Sequence, residues 1–506
     1  MKLENIKYKI IGLILLIIGI SSCTEEFLEV EPKGTALEEN YYSNEREAYA
    51  GLVAVYDRLG KYSSSFENMV TMMNAGSDDH FAGGGNATDG TGIQSFSDYS
   101  ISESTIPRSF WSDYYQGIFR ANILLIKLPD VPMPEATKKR FIAETKTLRA
   151  YYYFELVRMF RNIPLILAPI APSDIFNIPQ VNPEEVYLQI ENDLKESMSD
   201  LPNTIANLES EGGRLTKGAA QALLGKVYLY EGKNTEAAAE LAVVNGTPGG
   251  TSMYGYKLAE NFADLWANDD EFNAEGIIEI NHTNTANVTW DNWGGGENEG
   301  NNVNTMVGPR SIEIPEGSTI PAYVSGWSFN TITQNLFDAY SENDVRFEET
   351  IVDFKTLQEE GKVKYIPGYK DTGYFLKKFM PVKADVTTGG GEAILNYTQN
   401  MYPIRLADTY LLEAEALGGS GTRAQALLDA IRKRAGLASV PVSLETIANE
   451  RRLELAGEGH RWFDLVRTGR AATILADRGF TAGKNEIFPI PLKELENTLI
   501  EQNPNY

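Results

Sequence analysis

Apolar residues recur at helical spacing through most of the chain. Ala48, Leu52, Val55 and Leu59 follow at steps of four, three and four, behind Ser43, a residue type that caps helix starts. A second helix is predicted over 110–128. The clearest pattern is Phe141, Thr145, Leu148, Tyr152, Leu156 and Met159, which ends before Pro164. Residues 168–183 carry four prolines and read as a linker, and a further helix is predicted over 183–198. Two helix pairs come next: 215–243, turning at Glu231-Gly232-Lys233-Asn234, and 407–435, turning at Gly418-Gly419-Ser420-Gly421. The first alternates small and large residues, which lets its helices approach closely in the manner of a tetratricopeptide repeat.

Other stretches lack this period. Residues 74–100 are rich in Gly, Ser, Asp and Asn, with Gly83-Gly84-Gly85 among them, and read as one long loop. Residues 245–400 are rich in Gly, Asn, Thr and Trp, and Gly276-Ile277-Ile278-Glu279-Ile280 reads as a short buried strand. The expected fold is mostly α: a tetratricopeptide-like scaffold at 41–244 and 401–506, interrupted by an irregular insertion over about 245–400. Function more often lies in such loops than in the helices that hold them.

The start of the chain is different again. Lys2, Lys7 and Lys9 precede an apolar run of eleven residues from Ile10 to Ile20. That is too short for a bilayer, which takes about 20 residues, and it reads as a secretory signal. Gly19-Ile20-Ser21-Ser22-Cys23 resembles a bacterial lipobox, although Ile20 and Ser21 depart from its commonest form. The resemblance implies a signal peptide at 1–22, lipidation of Cys23, and a tether at 23–40. Cys23 is the single cysteine of the chain, so no disulfide framework is available and packing must supply stability. The acidic Thr24-Glu25-Glu26 is similar to the surface-export signal of Bacteroidetes lipoproteins, which implies the outer face of the outer membrane. A formal charge of −25 argues against nucleic acid and disfavours polyanionic ligands.

Six ordered segments then carry a family resemblance. They are Phe27-Leu28-Glu29-Val30-Glu31-Pro32; Trp111-Ser112-Asp113-Tyr114-Tyr115 with Arg120-Ala121-Asn122; 143–153 running on to Pro164-Leu165; 402–416; 450–467; and Phe488-Pro489-Ile490-Pro491 with Gln502-Asn503-Pro504-Asn505-Tyr506. Together they resemble the SusD/RagB family of outer-membrane nutrient-binding lipoproteins. The resemblance implies a helical scaffold with a variable ligand face. It also implies a SusC-like, TonB-dependent transporter as partner, over which the protein acts as a lid that captures glycan, or a peptide, for import.

Candidate residues follow from chemistry. Flat rings stack on the apolar faces of sugars while Asn and Asp read hydroxyls, so Trp290-Asp291-Asn292-Trp293, Trp327 and its neighbour Tyr323 are the expected ligand contacts. Asp78 and Asp79, in the Gly-rich loop, are expected to accept from sugar hydroxyls. Trp111, Trp266 and Trp462 read as core. The block at 450–467 offers Glu454, Glu458, His460 and Asp464, but its alternating Arg and Glu read as structural ion pairs around a break at Gly457 and Gly459. No catalytic triad, phosphate loop or metal motif is legible, so neither enzyme chemistry nor a cofactor is expected, and Ca²⁺ stays open. The alternatives are a surface glycoside hydrolase that pairs Asp78 with a Glu of the insertion, and a purely structural lid. Replacing Cys23 by Ala is expected to leave the body folded and to move it from the membrane to the soluble fraction. Membrane retention of that variant without a partner would refute the anchor.

Overall fold

The computed structural model describes residues 42–506 except 172, 269, 286, 287, 292, 294–298 and 388. Cys23, with its signal and tether, and Asn292 lie outside the described residues.

The helical expectation holds with adjusted ends. α1 (Glu45–Tyr56) starts one residue later than the pattern suggests. Asn44 is the cap, and its Oδ1 accepts from the Glu47 amide at 3.1 Å. α2 (Met69–Ala75) is entirely buried. α3 (Thr91–Asp98) lies inside the stretch expected to be one long loop; its apolar residues Ile93 and Phe96 are too few for a periodic signal, yet both are buried. α4 (Ser109–Lys127), α5 (Glu135–Phe160) and α6 (Pro183–Ser197) pack in succession. α7 (Lys217–Tyr230) and α8 (Asn234–Asn245) form the first tetratricopeptide-like pair. A Cβ at Gly225 would sit 2.6 Å from the Leu241 side chain, so the glycine is what brings the two helices together. After the insertion, α9 (Leu406–Ala416) packs on α8, and α10 (Gly421–Arg434) and α11 (Leu444–Glu454) pack on α9. α12 (Arg461–Arg467) follows a turn at Gly457, whose φ of 80° is one that L side chains rarely adopt.

The insertion carries short strands in antiparallel pairs. β1 (Gly276–Ile280) pairs with β6 (Met401–Arg405) in the register Gly276↔Arg405, Ile278↔Ile404, Ile280↔Met401, which joins its two ends. β2 (Arg310–Glu313) pairs with β4 (Lys364–Ile366), and β3 (Ile351–Asp353) with β5 (Tyr374–Leu376). One large core runs through scaffold and insertion, and a small second core gathers around Phe354, Phe375 and Met380.

The joint between insertion and scaffold is ionic and fully buried. Arg405 meets Glu275 at 2.8 Å, Glu454 at 2.6 Å and Glu458 at 2.9 Å. Arg346 meets Asp344 at 2.7 Å, Glu450 at 2.7 Å and Glu454 at 3.0 Å. Lys378 meets Glu458 at 2.8 Å, and Arg434 contacts Glu275 and Glu454. The block at 450–467 is therefore structural, as its alternating charges suggested. Burial alone would raise the Glu454 carboxyl, but Arg434, Arg405 and Arg346 together hold it well below the ordinary glutamate range. A depressed carboxylate contributes stability above its unfolded pKa and loses it as pH falls. Stability is therefore expected to decline as pH drops below about 4.5, where unfolded glutamates protonate. Arg405→Met is expected to cost roughly 3–5 kcal/mol, because it takes one cation away from each of three buried carboxylates. The midpoint of urea unfolding measures it, and an unchanged midpoint would refute the role of the joint.

Candidate functional site

Three of the four tryptophans of the insertion, Trp290, Trp293 and Trp327, converge, although Trp327 is distant in sequence from the other two. The Trp290 and Trp327 rings lie 6.1 Å apart at 26°, nearly parallel. Trp293 stands edge-on to both, 5.5 Å from Trp290 at 87° and 5.7 Å from Trp327 at 72°. Behind them Phe66 sits 6.0 Å from Trp327 and 5.3 Å from Phe329. Offset and edge contacts of this kind suit the ring quadrupoles. Trp290 is 49% exposed, the outermost of the three.

The backing of this platform is rigid. The Trp327 amide donates to Thr305 O at 2.8 Å, and the next two amides donate to Gly308 O and Met306 O, each at 2.8 Å. These carbonyls belong to or flank a buried helical turn, Val303–Val307. Trp293 is pinned differently: its Nε1 donates to Asn302 Oδ1 at 3.2 Å. Thr283 N donates to Glu299 O at 3.0 Å and closes the base of the loop that carries Trp290 and Trp293.

The Gly-rich loop borders the platform. Gly84 N donates to Ser328 O at 2.8 Å, and Tyr369 N donates to Gly84 O at 2.7 Å. Arg310 bridges the two sides: its Nε donates to Trp327 O at 3.0 Å and its Nη2 to Asp89 Oδ2 at 2.6 Å. The same Asp89 oxygen accepts from Gly85 N at 2.6 Å. The side chains of Asp89 and Arg310 stay about a third exposed, at 31% and 34%, so a carboxylate and a guanidinium are offered to solvent beside the rings. Neither residue stood out in the sequence, where 221 positions separate them.

Other expected contacts sit elsewhere. Asp79 faces inward, which corrects its reading as a ligand acceptor, and Asp78 keeps some exposure while arginines hold it. Arg461 grips Asp78 through two bonds of 2.8 and 2.9 Å, and Arg452 binds Asp79 at 2.7 Å. Asp79 is 1% exposed and has no surface to offer a ligand. Burial would raise the Asp78 carboxyl, yet Arg461 and Arg452 leave it below its ordinary value. Tyr323 is likewise buried, 5.8 Å from Phe354 in the second core and apart from the tryptophans. The core readings hold for Trp111 and Trp462, and Trp266 is half-buried beneath Lys378, whose Nζ lies 4.6 Å from its ring.

Comparison with known proteins gives this geometry a context. A family model described as "SusD family" matches residues 274–506, and another described as "Starch-binding associating with outer membrane" matches residues 26–229. The solved structure of a laminarin binding SusD-like protein is 61% identical, covers 92% of this chain and 100% of its own, and superposes with a TM-score of 0.89. Surface glycan-binding protein A from Bacteroides fluxus is 28% identical over 92% of this chain and 100% of its own, with a TM-score of 0.80. SusD-like protein P38 of Formosa agariphila is 27% identical, with all of both chains aligned.

The two groups of carboxylates are separable by experiment. Asp78→Asn is expected to lower stability by roughly 2 kcal/mol, because its two charge-assisted bonds from Arg461 are lost. Asp89→Asn breaks a partly exposed pair and is expected to cost less than about 1 kcal/mol. Urea unfolding of the two variants side by side checks the order, and the reverse order would refute the assignment.

Proposed function

Taking as premise that the chain belongs to the SusD family, we propose that it captures a neutral glycan at the cell surface without chemical change and passes it to a transporter. The observation that carries the reading is the exposed platform of Trp290, Trp293 and Trp327, with Arg310 and Asp89 at its rim. Rings stack on sugar C–H faces, and an ion pair about a third exposed offers both donors and acceptors to hydroxyls. The relative at 61% identity is named for laminarin binding, which supports laminarin, a neutral glucan, as first ligand to test. The net charge of −25 also favours a neutral ligand over a polyanion.

The remaining parts of the proposal rest on family membership and on the sequence. A lipid on Cys23 tethers the body to the outer membrane, facing outward. No helix among the described residues is long and apolar enough to cross a membrane. A TonB-dependent barrel of the SusC kind receives the glycan. Hydrolysis through Asp78 is disfavoured, because Arg461 and Arg452 hold that carboxylate in ion pairs.

Calorimetry with laminarin tests the reading. The Trp290→Ala/Trp293→Ala double variant is expected to bind at least roughly tenfold more weakly, about 1.4 kcal/mol, and Trp290→Ala alone is expected to melt as the parent does. Unchanged affinity in the double variant would overturn the site, and release of shorter sugars by the parent protein would overturn the binding-only role.

A further inference from the structure

Behind the tryptophan loop, a run of buried polar groups leads away from the platform. Trp293 Nε1 donates to Asn302 Oδ1, which also accepts from Ser65 N at 2.6 Å. Asn302 N donates to Ser63 O at 3.1 Å. The Ser63 hydroxyl meets His282 Nε2 at 2.7 Å, while His282 Nδ1 lies 3.0 Å from Glu299 O. A carbonyl only accepts, so Nδ1 carries the proton and Nε2 accepts from Ser63. Burial keeps this imidazole neutral, with its pKa at about 4. His282 N then donates to Asn400 Oδ1 at 2.9 Å, and Asn400 Nδ2 donates to Glu279 Oε1 at 2.8 Å. Ser63, Asn302, His282, Asn400 and Glu279 are all buried.

We propose that Glu279 is a positioning residue for the tryptophan platform, acting through the hydrogen-bonded chain Glu279–Asn400–His282–Ser63–Asn302–Trp293. The links tie the end of β1, where Glu279 lies and His282 follows it at the root of the tryptophan loop, to Asn400 just before β6 and to Ser63 beyond α1. The chain sets where that loop leaves the scaffold. This inference rests on the reading of the platform as the glycan site.

Glu279 is also the member of the chain that can change state near neutral pH. Burial pushes its carboxyl up to about 7 against the pull of Asn400 and the Phe272 amide, and Glu271 and Asp270 add repulsion. Tyr402 of β6 also feels its charge. On its other side lies a cavity of about 270 Å³ that Asp57, Arg214 and Glu299 also line, with Arg214 already paired to Glu144 and Glu211. Ionisation makes the carboxylate a stronger acceptor for Asn400 Nδ2 and for the Phe272 amide, which donates to the same oxygen at 2.9 Å. Below its pKa the neutral carboxyl holds both donors more weakly, which slackens the loop. Platform order and glycan affinity therefore rise as pH rises through 7.

Two readouts test this. In the ligand-free protein, the Trp293 indole N–H resonance, assigned by its loss in Trp293→Phe, is expected to shift with a midpoint near pH 7 and to stay fixed in Glu279→Gln. Laminarin affinity by calorimetry is expected to strengthen at least roughly threefold from pH 6 to pH 8 in the parent, and to hold its pH 6 value in Glu279→Gln. Asn400→Ala, which cuts the chain without touching the carboxyl, is expected to bind weakly at both values. A Trp293 resonance that stays fixed in the parent, or titrates equally in Glu279→Gln, overturns the proposal. No laminarin binding at any pH, together with the expected indole titration, overturns the ligand assignment and supports the chain.

Discussion

A guanidinium removed from water has to be surrounded by acceptors, and that requirement organises this molecule. Arg405 stands at the point where the insertion returns to the helical scaffold, between β6 and α9. Its partners come from three other places: Glu275 at the insertion's entry, Glu454 at the end of α11, and Glu458 in the glycine turn beyond. Arg346 and Lys378, both inside the insertion, reach the same carboxylates. Apolar packing alone would let the insertion slide on the helices with little penalty. Buried charges do not permit that, because each small displacement exposes an unpaired ion to a low dielectric. The network thus gives an irregular segment a single seat.

That seat explains how loops with little regular structure hold a precise set of rings. Trp327 is tied by three successive amides to a buried helical turn, and Trp293 by its indole to Asn302 on the same turn. Among the described residues, the Trp290 ring meets the other two rings, and it is the exposed one. The platform grades from fixed to free over one ring diameter. A fixed inner edge suits recognition with low ordering cost, and a freer outer ring suits adjustment to the ligand.

The helical pattern made the scaffold legible, because apolar period and small residues act locally. Gly225 against Leu241 is the packing that the alternation in that segment implied. The tryptophans were legible as a type, since large rings in a Gly- and Asn-rich stretch have few core partners nearby. What was not legible was pairing across distance. Asp78 and Asp79 look like free acids until Arg461 and Arg452 arrive from the far end of the chain. Asp89 looks like a turn residue until Arg310 meets it. α3 escaped notice because two apolar residues in eight positions make no period.

The bond from Arg452 to Asp79 spans 373 positions, and that from Arg461 to Asp78 spans 383. Residues 78–90 leave the ribosome early, but the arginines that fasten one end of them come near the last. Closing so long a loop is slow compared with forming the helix pairs between. Assembly therefore runs inward from local helices, and the tryptophan-bearing surface is finished only when the C-terminal block docks. Truncation near the C-terminus would spare most of the helices and still unmake a surface whose rings lie more than a hundred residues upstream.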